Sequence, residues 1–185
     1  EHYAGYLSGT NNFRYNIYPQ YKSSRKDKPR PVHLEPVREF LVREWNGIVV
    51  EGCEADDMLG VNQCASSIDW QDSIICSIDK DLLQIPGWHY NFVKDIAYHI
   101  TPEEGMYRFY KQILTGDTAD NIIGLKGVGP IKADKILEEC NGELDLYNAC
   151  VEAYAGNEER VLENARLLWL RRYEGQMWEP PKETT

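Results

Sequence analysis

An α/β protein is predicted, with a mainly parallel sheet flanked by helices and a smaller helical unit at the C-terminal end. Two observations predict it. Apolar runs of strand length at Ile48-Val49-Val50 and Ser73–Ile78 bracket a helix-length segment, and strand–helix–strand is the unit of a parallel sheet. From Asp117 onward the texture changes to short helical stretches joined by glycine turns. The boundary is therefore placed at 115/116, with residues 1–115 as the core and 116–185 as the second unit.

In chain order, Tyr3–Gly9 reads as a short strand, and the polar, aromatic stretch through Arg30 reads as turns. A helix is predicted over about Glu35–Asn46, because Val37, Leu41 and Trp45 recur at four-residue spacing and Asn46-Gly47 ends it. After the first buried strand comes a helix from Glu54 to about Ser66, with Ala55, Met58, Leu59 and Ala65 inward. The second strand runs directly into Asp79-Lys80-Asp81, and residues 90–100 suggest two more short strands. Thr101-Pro102-Glu103-Glu104 is a capping box, opening a helix whose Met106, Phe109, Tyr110 and Ile113 share a face. A last amphipathic helix is predicted over Asn157–Tyr173, with Val161, Ala165 and Leu168 inward, followed by a frayed tail from Glu174.

Composition narrows the function classes. The charged residues are 27% and the hydrophobic residues 42%, which excludes a wholly disordered chain. No apolar run approaches membrane-spanning length and no secretory leader is visible, so a soluble monomer in the cytoplasm is expected. Glu1 in place of Met suggests a fragment or a processed chain. Five cysteines without CxxC spacing argue against a disulfide framework or a zinc cluster and fit a reducing compartment, as buried thiols. The four histidines show no ligand spacing.

The net charge of −10 opposes indiscriminate nucleic-acid binding, yet the charges are unevenly placed. Lys22, Arg25, Lys26, Lys28 and Arg30 face only Asp27 in one stretch. Acids gather instead at Glu54/Asp56/Asp57, Asp79/Asp81 and Asp117/Asp120. Taken singly, each cluster could be a helix N-cap or a solvated turn. Together, at the ends of successive strands and at a glycine-rich segment, they would repel one another unless cations shared the pocket. All-oxygen donors select Mg²⁺ or Mn²⁺ over zinc. Two such ions suit phosphodiester hydrolysis.

Ile123–Ala133 has the form of a helix–hairpin–helix. Gly127 and Gly129 allow a tight turn, Pro130 starts a helix, and Lys126, Lys132 and Lys135 supply charge for a nucleic-acid backbone. A dinucleotide-binding loop fails on context, because no hydrophobic strand leads into it; a plain structural turn stays open. Phe13-Arg14, then Tyr18 to Arg25 with Tyr21 and Lys22, interleaves rings and cations as a single-strand binding arm does, or as an exposed basic loop does.

Glu54-Ala-Asp-Asp57, Asp79-Lys-Asp-Leu82 and Thr115-Gly-Asp-Thr-Ala-Asp-Asn121, followed by Gly-Leu-Lys-Gly-Val-Gly129, resemble the 5′-nuclease family in order and spacing. That family comprises flap endonucleases, the 5′-nuclease domain of DNA polymerase I and phage 5′–3′ exonucleases. Tyr21-Lys22-Ser-Ser-Arg25 is similar to the stretch leading into the family's helical arch, here about residues 14–36. The resemblance implies a PIN-like core with a helix–three-turn–helix clamp, two divalent ions, and DNA with a 5′ end or flap as partner. It would place Glu54, Asp56 and Asp79 at a first metal, and Asp81, Asp117 and Asp120 at a second, with Asp57 nearby. Lys22 would reach the scissile phosphate and Arg25 the 5′ portion. The Gly127/Gly129 turn would hold duplex backbone, where the family often binds K⁺.

Two departures accompany the resemblance. The family opens with a strand carrying a metal-ligand aspartate, which would precede residue 1. A second aspartate precedes the arch, where this sequence has Leu7-Ser8-Gly9. An unfilled central sheet position is expected, along with binding of at least one ion. The competing readings are a catalytically weakened module that still holds branched or 5′-ended DNA, and an RNA-cleaving relative, which would not need the glycine hairpin.

Overall fold

The computed structural model describes residues 2–25, 29–65 and 73–182; Lys26 and Lys28 of the basic stretch lie outside these, as does Ser66. Strand β1 (Tyr6–Asn12) is followed by a single-turn helix α1 (Arg14–Ile17), helix α2 (Leu34–Trp45) and strand β2 (Ile48–Gly52). β1 and β2 pair in parallel, Ser8 opposite Val50, with an irregularity before Asn12 meets Gly52. Helix α3 (Ala55–Ala65) leads to β3 (Ile74–Cys76), β4 (Gly87–Asn91) and β5 (Ile96–Ile100). β3 runs parallel to β4, and β5 returns antiparallel, His89 opposite Tyr98.

The sheet is divided among the described residues. β1–β2 and β3–β4–β5 are separate ladders, and no described strand lies between them to join their hydrogen bonds. Apolar side chains near these edges remain exposed, among them Ile48, Val49 and Ile74. Helix α2 buries none of its residues: Val37 is 51% and Trp45 53% exposed, so its apolar stripe does not reach the core, and Trp45 meets Tyr3 instead.

Helix α4 (Pro102–Thr115) starts at the expected capping box, Thr101 and Glu104 bonding reciprocally. Phe109, Tyr110, Ile113 and Leu114 are wholly buried on its inner face. Gly116, at φ +69°, ends it and opens a hairpin of β6 (Gly116–Asp117) and β7 (Ile122–Ile123). The chain continues through α5 (Pro130–Leu137), α6 (Glu143–Ala153) and α7 (Glu158–Leu168), which pack around α4. One buried cluster contains Tyr21, Phe109, Leu137, Val161 and Trp178, so it crosses the 115/116 boundary. Among the described residues no helix is long and apolar enough to cross a membrane.

Three local expectations are corrected. In α3 the buried residues are Asp57, Gly60, Val61 and Gln63, while Ala65 is exposed. Polar anchors decide this face: Arg14 draws Asp57 inward and Gln63 donates to the Trp88 carbonyl at 3.0 Å. Helix α7 stops at Leu168 because the following backbone is engaged elsewhere: the Trp169 carbonyl accepts from Arg14 and the Leu170 amide donates to Gln84. The tail is not frayed through residue 182, since Trp178 is 4% exposed and packs on Phe109, Tyr110 and Tyr147.

Candidate metal centre and nucleic-acid interface

Parallel strands deliver chemistry at their carboxyl ends. Glu54 and Asp56 follow β2 and open α3, while Asp79 and Asp81 follow β3. Asp117 ends β6 and Asp120 sits in the turn of the small hairpin. Glu54, Asp56, Asp81, Asp117 and Asp120 line one cavity of about 30 Å³, together with Arg14, Tyr21 and Gln112. Roughly 30 Å³ is one water's share of liquid volume, so the cavity suits a water or a small cation.

The electrostatics follow from this crowding. Burial, then Asp79 and Glu54, push the Asp56 carboxyl up to about 6. Burial, then Asp79 and Asp117, push Asp81 up to about 6, against the hydrogen bond it accepts from Gln112 at 2.9 Å. Asp79, which is exposed, also accepts the Asp81 amide at 2.9 Å and so fixes the pair. Asp117 caps its own turn through the Ala119 amide at 2.7 Å.

Cations face the same cavity. Lys22, at positive φ, bonds Glu54 and lies 3.5 Å from Asp120, while Arg25 bonds Asp120. The Tyr21 hydroxyl shares its one proton between Glu54 and Asp120, at 3.0 and 2.9 Å. Burial and Glu54 raise its phenol far above the ordinary range, so it stays a donor. Glu54 and Asp120 are thus already paired, and no described group of three acids, histidines or cysteines is closed into a ready ligand set. The donor set nonetheless fits a hard divalent ion: the donors are all oxygen, and among the described residues neither Asp56 nor Asp81 is in an ion pair.

Three predicted site residues lie buried rather than at the surface. Arg14, expected at DNA, is 1% exposed; its guanidinium bonds both Asp57 oxygens at 2.6 and 2.9 Å and the Leu167 and Trp169 carbonyls at 2.8 Å. Asp57, expected near the metals, is fully buried; it also accepts the Glu54 and Arg171 amides. Burial alone would raise its carboxyl, but Arg14 wins and holds it below the usual range. Tyr21, expected to stack on bases, is 2% exposed. The ring and guanidinium are inside because the buried carboxylates need their donors. Sequence reasoning missed Gln112 and the positioning role of Arg14; nothing in their local pattern singles them out.

Ser8, in the Leu7-Ser8-Gly9 stretch, accepts the Ala55 amide at 2.9 Å and so caps α3. The glycine turn lies apart from the acidic cavity. Lys126, Gly127, Gly129 and Lys132 are all exposed, Gly127 at φ +77°, and a Cβ at either glycine would meet open space. Gly129 caps α5, with Pro130 in its first turn. The segment leading into the turn is β7, not a helix, because Gly116 ends α4 and its backbone packs against Gly124.

Residues 4–111 match the family model of the 5′-3′ exonuclease N-terminal resolvase-like domain. DNA polymerase I of Rhizobium leguminosarum is 33% identical over 180 residues, covering 86% of this chain and 17% of that protein. A 5′-3′ exonuclease of Buchnera aphidicola is 30% identical over 154 residues, covering 76% of this chain and 53% of its own length. The chain therefore spans only part of these relatives. Bacteriophage T5 5′-exonuclease with bound divalent zinc ions superposes with a TM-score of 0.67 at 20% identity, over 89% of this chain and 73% of that one. The T5 flap endonuclease complexed with DNA and metal ions gives 0.65 over the same shares. The fold is accordingly the α/β PIN-like fold of those enzymes, and the chain belongs to the 5′–3′ exonuclease family of DNA nucleases.

Proposed function

We propose that this chain carries a divalent-metal-dependent 5′–3′ exonuclease and flap endonuclease activity on DNA. The observation that carries the reading is the convergence of carboxylates from three separate segments on one small cavity edged by Lys22 and Arg25. Glu54, Asp56, Asp79, Asp81, Asp117 and Asp120 are the residues that would hold Mg²⁺ or Mn²⁺; Asp57 is not, being spent on Arg14. Bound there, such ions would supply activation of water and charge neutralisation at a phosphate.

The chain's own groups do the rest. Lys22 and Arg25 face the carboxylates and meet a phosphodiester at the mouth of the cavity, moving from carboxylate to phosphate oxygen. Tyr21 keeps Glu54 and Asp120 oriented, and Gln112 does so for Asp81. The exposed Gly127/Gly129 turn, with Lys126 and Lys132, is suited to duplex backbone and, at its carbonyls, to K⁺. Specificity by shape follows, because backbone contacts read no sequence.

The test is cleavage of a 5′-labelled flapped duplex with and without Mg²⁺. Metal-dependent release of 5′ products is expected, abolished in Asp81→Asn and Asp117→Asn while both still bind the DNA. Cleavage persisting in those variants overturns the metal assignment. Leu7-Ser8-Gly9, near the place where the resemblance implies an aspartate, favours a second reading, a weakened module; DNA binding without any cleavage would select it.

A further inference from the structure

We infer that a groove beside the carboxylate cavity is a track for an unpaired DNA strand. The groove, of about 630 Å³, runs between the Asp79–Lys80 segment, the β4–β5 turn and α4. Three cations line it, Lys80, Lys94 and Arg108, all exposed and none in an ion pair with another described residue. Asp79 is the one acidic residue among its described lining, and Asp79 also accepts the Asp81 amide at 2.9 Å, which links the groove to the carboxylate cavity. On a chain of net charge −10, a groove three to one in favour of cations is a local reversal of sign.

The groove is built on ordered backbone. Asn91 accepts the Val93 and Lys94 amides at 3.2 and 3.0 Å, which holds Lys94 on its turn. Asp95 at positive φ accepts the Tyr90 hydroxyl at 2.7 Å, so the neighbouring acid is engaged away from Lys94. Between the cations Ile78 and Val93 stay 56% and 70% exposed, and Tyr98 lines the wall. Cations alternating with exposed apolar faces suit phosphates and unpaired bases together, whereas a duplex keeps its base faces stacked and offers only its backbone and groove edges. The inference rests on the nuclease reading for the presence of DNA at Asp79. It shares no residue with the Gly127 turn or with Lys22 and Arg25.

The test is fluorescence anisotropy in EDTA, from about 50 to about 200 mM salt, with a duplex bearing a 5′ single-stranded tail and the same duplex without one. The variants are Lys94→Gln and the triple Lys80→Gln/Lys94→Gln/Arg108→Gln, each matched to the parent by circular dichroism and thermal melting. Single-strand contacts contribute a salt slope of about −0.7 per neutralised phosphate, so the triple variant should shallow the tailed-duplex slope by roughly 2 and Lys94→Gln alone by about 0.7. Blunt-duplex binding should stay at the parent level. Unchanged tail affinity and slope, or equal losses on the blunt duplex, overturn the groove. A parent protein that neither binds these DNAs nor cleaves a flapped duplex with Mg²⁺ instead sinks the nuclease reading, so the two failures are distinguishable.

Discussion

Replacing Arg14 by Met tests the buried anchor beneath the site. Arg14 is 1% exposed and Asp57 fully buried, and the pair exchanges two hydrogen bonds of 2.6 and 2.9 Å. Removing one partner of such a pair leaves a charge in the interior and costs about 3–5 kcal/mol. The Leu167 and Trp169 carbonyls lose donors as well, which places the cost toward the upper end. For a domain of this size about 2–4 °C accompanies each kcal/mol, so the midpoint should fall by roughly 6–20 °C. The pH dependence gives an independent handle. In the parent, Asp57 is held below its unfolded value, so its contribution is present above about pH 4 and lost as pH falls through the lower folded value. Without Arg14, burial raises Asp57, and the variant should gain stability as pH falls from about 7 to about 5. Urea denaturation at both pH values measures the difference, and Arg14→Met/Asp57→Leu should restore most of the loss. A loss under about 1 kcal/mol at pH 7, or an equal loss at both pH values, would refute the reasoning.

Trp178→Ala should cost about 3–5 kcal/mol, because its ring lies against Phe109, Tyr110 and Tyr147; an unchanged melting curve would mean that the tail is peripheral. Gly60→Ala should cost about 1–3 kcal/mol, since the new methyl would press on the Arg171 carbonyl and sit 2.8 Å from Ile85; denaturant titration checks it. Asp56 and Asp81, raised to about 6 in the fold, bind protons the unfolded chain does not between about pH 4 and 6. Their effect is to stabilise the metal-free protein as pH falls through about 6. Added Mg²⁺ should therefore raise the midpoint more at pH 7.5 than at about pH 5, and a larger Mg²⁺ shift at the lower pH would contradict the carboxylate assignment.

Short-range chemistry was legible in the chain itself. The capping box at Thr101, the inward face of α4 and the strand–helix–strand order rest on local periodicity and backbone satisfaction, which neighbouring residues decide. The acidic clusters were legible too, because their spacing from strand ends is a local property. Partnership across the chain was not. Arg14 and Tyr21 look like surface residues of a basic arm, yet the fold brings Asp57, 43 residues away, and Asp120, 99 residues away, to meet them. An apolar stripe likewise predicts a helix but not its covering, which is why α2 forms as expected and still exposes Val37 and Trp45. The sequence by itself determined which segments become helices and strands and which carboxylates stand at their ends. Only the tertiary structure decided which charges are buried in pairs and which are left facing solvent, because desolvation and Coulomb attraction depend on distances that sequence separation does not set.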